Sequence, residues 1–125
     1  MKTIILAFTL AFTSSCLANS LPASTVREIS HLFSYLENSE CRFNRNDHWY
    51  TAKEAVEHIN SKYRYLLDRE LVSDAESFIA RAATKSSMSG KAYLVQCGTA
   101  QPQQSGPWFK TELARYRKAQ HQHTQ

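Results

Sequence analysis

Cys41-Arg42-Phe43-Asn44-Arg45-Asn46-Asp47-His48-Trp49-Tyr50 decides the fold class. Cys41 to Arg45 and His48 to Tyr50 read as extended segments, and Asn46-Asp47 reads as the two-residue turn of a hairpin. Asn and Asp tolerate the left-handed backbone such a turn demands, though less easily than Gly. Alternation along the first strand puts Cys41, Phe43 and Arg45 on one side. Cys41 and Phe43 then point inward, and Arg45 lies at the core edge beside the turn. A partly buried Arg there calls for a carboxylate or carbonyl partner. Without the hairpin, the chain would read as an all-α bundle with irregular connections.

The segment Ala92-Tyr93-Leu94-Val95-Gln96-Cys97 is the best strand in the sequence. Helical periodicity fills the rest. Val26, Ile29, Leu32, Phe33 and Leu36 share one face of a helix over 26–37. Ala52, Ala55, Val56, Ile59, Tyr63, Leu66 and Leu67 do so over 52–70, and Ala75, Phe78, Ile79, Ala82 and Ala83 over 74–85. A fourth helix starts near Pro107, carries Trp108, Phe109, Leu113 and Tyr116, and fades after Lys118. Three capping boxes mark helix starts: Thr25 with Glu28, Thr51 with Glu54, and Ser73 with Glu76. The expected architecture is α+β, with about four helices packed on a small antiparallel sheet made of hairpin 41–50 and strand 92–97.

The chain begins like an export signal. Lys2 precedes the apolar run Ile4 to Phe12, which is too short to span a bilayer, and small residues follow up to Ala18. Cleavage after Ala18 fits the small-residue rule, and cleavage after Ser20 is the alternative. A lipid anchor at Cys16 is the rival reading. The expected organisation is a signal peptide over 1–18, one domain over 19–119 and a flexible tail over 120–125. No transmembrane segment is expected, and the periplasm is the expected location.

The chain has 15 basic and 11 acidic residues and three cysteines. Loss of the leader removes Lys2 and Cys16 and leaves a formal charge of +3. Cys41 and Cys97 remain, and an even pair in an exported chain is most simply a disulfide. It would fasten the third strand to the hairpin. Charge is uneven along the mature chain: residues 19–76 are net −3 and residues 77–125 net +6. That asymmetry suits an anionic partner, such as an anionic envelope component or another periplasmic protein. It equally suits two halves that pack and neutralise each other. Nucleic acid is not an expected partner, given the compartment and the modest charge.

Glycine occurs only as Gly90, Gly98 and Gly106. Dinucleotide-binding and phosphate-binding glycine loops are therefore excluded, and no cofactor is expected. A helical zinc pair is absent because no second His lies four residues from any other in a helix.

Two regions carry chemistry-bearing residues. Glu54, His58 and Lys62 recur at four-residue steps on one helix face, so Glu54 could orient His58 as a base or donor. Ser86-Ser87-Met88-Ser89-Gly90-Lys91-Ala92-Tyr93 offers hydroxyls and backbone N–H groups beside a Gly, the makings of an anion nest. Ser89-Gly90-x-x-Tyr93 also resembles a short loop motif of bacterial lysozyme inhibitors of the periplasmic C-type class. The expected binding surface is Arg45, Asn46, His58, Lys62, Ser87, Ser89, Lys91 and Tyr93. The leading expectation is a non-catalytic binding or accessory module. The alternatives are an inhibitor inserting the Ser89–Tyr93 loop into an envelope-attacking enzyme, and a small hydrolase using Ser87 or Ser89 with His58 and Glu54.

A wider resemblance covers the chain from about Thr25 to Arg117. Its motifs are Cys41-x-Phe43-x-Arg45-Asn46, Ala52-x-x-Ala55-x-x-His58-Ile59-x-x-Lys62-Tyr63, Ala75-Glu76-x-Phe78-Ile79 and Ser86-Ser87-x-Ser89-Gly90-Lys91-x-Tyr93. Cys97, Trp108 and Glu112-Leu113-Ala114-Arg115-Tyr116-Arg117 follow. Together these resemble the YfeK-like family of small exported bacterial proteins, a domain of unknown function. The resemblance implies a Gram-negative envelope location and no catalytic residue. The family pattern has Gly after Arg-Asn in the hairpin, where this chain has Asp47.

Overall fold

A computed structural model describes residues 20–125. The expected leader over 1–18, the expected cleavage after Ala18 and Cys16 lie outside the described residues. The elements run α1 (Ala23–Asn38), β1 (Arg42–Arg45), β2 (His48–Tyr50), α2 (Ala52–Asp68), α3 (Ala75–Ala82), β3 (Leu94–Gln96), β4 (Gln103–Gln104) and α4 (Ser105–His123). The fold is α+β: four helices and a four-stranded antiparallel sheet ordered β2-β1-β3-β4.

Asn46 and Asp47 both adopt positive φ, 52° and 68°, as a two-residue I′ hairpin turn requires. The turn sets the register. Phe43 faces Tyr50 and Arg45 faces His48 across β1–β2. On the other side Phe43 pairs with Val95, and Arg42 with Gln96. Cys41 and Cys97 continue that register by one residue and form a disulfide, with Cα atoms 4.3 Å apart. The expected third strand is thus fastened to the hairpin. β4 is an unforeseen strand of two exposed Gln residues, placed by pairing of Leu94 with Gln104 and of Val95 with Gln103.

Phe43 and Val95 project from the sheet into a core shared with Ile29, Leu32, Leu36, Ile59, Phe78, Ile79 and Phe109. Burying such side chains is the main stabilising contribution, about 1.5–3 kcal/mol for each large one. α1 packs on all three other helices, α2 reaches β1, and α4 reaches β3 and β4. The α3 stripe is buried throughout. Val26 and Leu67, expected inward, are 48% and 36% exposed.

Only one expected capping box forms as read. The Thr51 hydroxyl accepts the Glu54 N–H, and Glu54 accepts the Thr51 N–H. Thr25 does not cap α1: the helix starts at Ala23, three residues before the expected Val26, and Thr25 is buried inside it. Ser73 does not cap α3 either. Asp74 does, in a box with Ser77 one position later, because the Asp carboxylate accepts the orphan N–H at least as well as a serine hydroxyl. Glu76 instead joins Glu28 in holding Arg117, which ties α4 to α1 and α3.

α3 stops at Ala82, short of the expected Lys85, because the chain leaves to bridge Lys85 with Ala92. α4 runs past Lys118 to His123; no Gly or Pro follows Pro107 to stop it. The acidic first part and basic second part partly neutralise each other, through Arg117 and through Lys91 on Asp47. No helix among the described residues is long and apolar enough to cross a membrane.

Candidate functional site

The centre of the site is a buried tyrosine with a polar tip. Tyr93 is 1% exposed. Its backbone is clamped on both sides, its N–H donating to Thr84 O and its carbonyl accepting from Ser105 N–H. Its ring packs 5.1 Å from Phe43. The phenol then emerges beside α2. His58 Nε2 lies 3.0 Å from the hydroxyl, and Lys62 Nζ donates to it at 3.1 Å. Lys62 donates a second hydrogen bond to Lys85 O at 2.9 Å. One helical turn separates His58 from Lys62, so a single helix face delivers both.

Arg45 enters from the end of β1. Its guanidinium lies 5.2 Å from the Tyr50 ring centroid, and Nη2 reaches the Tyr50 hydroxyl at 3.5 Å, the outer limit of a hydrogen bond. The expected carboxylate or carbonyl partner of Arg45 is absent: among the described residues no carboxylate is within salt-bridge distance of Arg45 or Lys62, and no carbonyl accepts from the Arg45 guanidinium. Tyr50 takes that place through a cation–π contact. It was findable in the sequence, since hairpin pairing puts Tyr50 diagonally across from Arg45 on one face.

The electrostatics follow from this crowding. Burial pushes the His58 imidazole below its ordinary value, and the charges of Arg45 and Lys62 push it further. Burial and Arg45 likewise hold Lys62 below its ordinary value. Burial raises the Tyr93 phenol, and Arg45 opposes this. His58 is therefore neutral near pH 7. Lys62 donates to the Tyr93 oxygen, which leaves the phenol proton able to donate to Nε2; in that tautomer the imidazole carries its hydrogen on Nδ1.

Two cavities meet at His58. One, of about 140 Å³, is lined by Phe43, Arg45, Tyr50, Glu54, Ala55 and His58. The other, of about 430 Å³, is lined by His58, Ser61, Lys62, Tyr65, Leu66, Arg81 and Ser87. Arg81, Tyr65 and Ser61 escaped the sequence reading because they fall off the four-residue polar stripe. A larger cleft of about 550 Å³ lies among Leu21, Val26, Tyr63, Leu67 and Val72. It shares no residue with these two and lacks their cluster of donors.

The expected site residues separate into groups. Arg45, His58, Lys62 and Tyr93 come together, and Ser87 reaches the outer cavity. Asn46, Ser89 and Lys91 form a latch between hairpin turn and loop. Ser89 Oγ donates to Asn46 Oδ1, Asn46 Nδ2 donates to Ser86 Oγ, and Lys91 Nζ donates to Asp47. The loop is not an anion nest. Met88 N–H and Ser89 N–H donate to Ser86 Oγ, Gly90 N–H to Ser86 O, and Lys91 N–H to Ser89 Oγ. Nor do the hydrogen bonds form a serine relay: among the described residues none joins His58 to Ser87, Ser89 or Glu54, and Ser89 Oγ donates to Asn46 instead. Tyr93 is buried and cannot be inserted into a partner with the loop.

A second polar centre lies between α1 and α4. Glu112, 3% exposed, accepts from Arg115 and from His31 Nε2 at 2.7 Å. Burial raises its pKa, but these hydrogen bonds outweigh that and hold the carboxyl below its ordinary value. His31 stacks on Tyr116 at 4.1 Å, filling the space beside the acid. No group of three metal-ligating side chains gathers among the described residues.

No curated protein and no solved structure matches the chain. Residues 23–117, which hold α1 to α3, the whole sheet and α4 as far as Arg117, match the family of unknown function DUF5329, and the chain belongs to that family.

Proposed function

We propose that this protein is an exported, periplasmic binding module of the bacterial envelope that takes an anionic group between Arg45 and His58. One observation carries the reading: Arg45 is a half-buried guanidinium on a cavity wall, and no carboxylate among the described residues is within salt-bridge distance of it. Guanidinium offers five donors in a planar fork, and among the described residues a single long contact to Tyr50 uses them. His58 adds its Nδ1–H. An incoming anion would offset the charges of Arg45 and Lys62, which crowd the neutral His58. The leader sequence and the Cys41–Cys97 disulfide support export to an oxidising compartment. Grouping with the YfeK-like proteins rests on the motifs quoted above.

Chemical-shift mapping of the purified protein with acetate tests this reading. Perturbations should concentrate at Arg45, His58, Tyr50 and Tyr93 and vanish in Arg45→Gln. Shifts scattered over surface lysines would refute it.

The braced loop favours a second reading, an inhibitor of an envelope-attacking enzyme. Met88 is 97% exposed at the tip of a loop tied to the hairpin through Asn46 and Lys91. Pull-down with lysozymes, compared between wild type and Lys91→Ala, tests it. No capture by the wild type would end it.

A further inference from the structure

The cavity that Arg45 lines also has an acidic residue in its lining, the solvent-exposed Glu54, which an anion alone leaves unused. Glu54 shares its wall with Arg45 and His58. Glu54 Oε2 accepts from Thr51 N–H and Thr51 Oγ1–H. Oε1 receives no hydrogen bond from any described residue, and Glu54 does not pair with Arg45. Arg45 and Glu54 thus line one small space without pairing. Phe43, 1% exposed, and Ala55, 2% exposed, supply apolar wall. The volume of about 140 Å³ is close to that of a protein cavity of roughly 150 Å³ that takes up benzene, a molecule with as many heavy atoms as alanine.

We infer that this cavity binds a small zwitterionic α-amino acid. Its carboxylate faces Arg45 and His58 Nδ1–H, its ammonium faces Glu54 Oε1, and its methyl-sized side chain rests on Phe43 and Ala55. The inference rests on the anion reading above and names the ligand class. A plain carboxylate gains Arg45 but brings a second negative charge beside Glu54. An adjacent ammonium turns that repulsion into a charge-assisted hydrogen bond. A bulky side chain would not fit the space.

Calorimetric titration of the purified protein with alanine, propionate, leucine and the dipeptide alanyl-alanine tests the inference. Alanine should bind about tenfold more tightly than propionate, the effect expected of one exposed charge-assisted hydrogen bond. Leucine should show no binding. The dipeptide, with its two charges held further apart, should bind more weakly than alanine. Glu54→Gln keeps the capping box, which accepts Gln at that position, so the variant should fold. It should erase the difference between alanine and propionate. Propionate binding as well as alanine would overturn the zwitterion while leaving the anion reading intact. A preference for the dipeptide, or an alanine preference surviving in Glu54→Gln, would overturn it too. Binding of neither alanine nor propionate would overturn both readings.

Discussion

The Tyr93 hydroxyl lies 3.0 Å from His58 Nε2 and accepts from Lys62 Nζ at 3.1 Å, so one buried phenol fixes two side chains of α2. Sheet and helix therefore meet through hydrogen bonds as well as through Phe43. Tyr93→Phe keeps the buried ring and deletes the link. Each neutral hydrogen bond nets about 1 kcal/mol, and half-buried partners can recover water. A loss of about 1 kcal/mol in urea unfolding is expected. An unchanged midpoint would mean the phenol contributes only its ring.

His58 should make folding stability depend on pH. Its folded pKa lies below the ordinary 6.5, because burial, then Arg45, then Lys62 disfavour its charge. The unfolded chain thus takes up the proton first. The contribution of neutral His58 is complete above 6.5 and is lost as pH falls through the lower folded value. Urea midpoints should drop over that window in the wild type and drop less in His58→Gln. Parallel curves would show that His58 is not the group responsible.

Gly106 lies where α4 begins against the end of α3. A Cβ there would meet Thr84 Oγ1 at 3.0 Å and Cγ2 at 3.2 Å. Thr84 cannot easily yield, since its hydroxyl donates to Ile79 O at 2.7 Å. Gly106→Ala should cost about 1–3 kcal/mol by overpacking. Adding Thr84→Ala removes both close atoms and should make the second substitution nearly free in a double-mutant cycle. Simple additivity would place the cost elsewhere.

The hairpin, the disulfide and the α3 stripe were legible because each rests on short-range chemistry. Asn46-Asp47 announces positive φ, an even cysteine pair announces a bridge, and Ala75, Phe78, Ile79 and Ala82 announce one face. The missed features depend on distant partners. Glu112 is buried because His31, 81 residues away, comes to meet it. β4 is two exposed Gln residues with no apolar alternation, so only pairing with Leu94 and Val95 makes it a strand. Thr25 and Ser73 had the spelling of caps, yet α1 begins earlier and Asp74 supplies the cap of α3. At the site, helix spacing brought His58 and Lys62 together in advance. The contact to Tyr93 required the fold. The latch of Ser89 and Lys91 onto the hairpin turn was invisible, because nothing local pairs residues 43 or 44 apart.

The Cys41–Cys97 bridge closes a separation of 56 residues between β1 and β3. The chain-entropy model assigns such a loop about 4 kcal/mol. The double variant Cys41→Ala, Cys97→Ala should lose about that much in denaturant unfolding. A loss below about 1 kcal/mol would mean that sheet pairing alone holds the hairpin to β3.

The central claim is an anion seated between Arg45 and His58, and His58 is the reporter nearest to it. An NMR pH titration of the His58 ring, with and without saturating acetate, measures this directly. Free protein should show a His58 pKa below 6.5, acetate should raise it, and Arg45→Gln should raise the free value and abolish the acetate effect. A His58 titration that acetate leaves unmoved in the wild type would contradict the account.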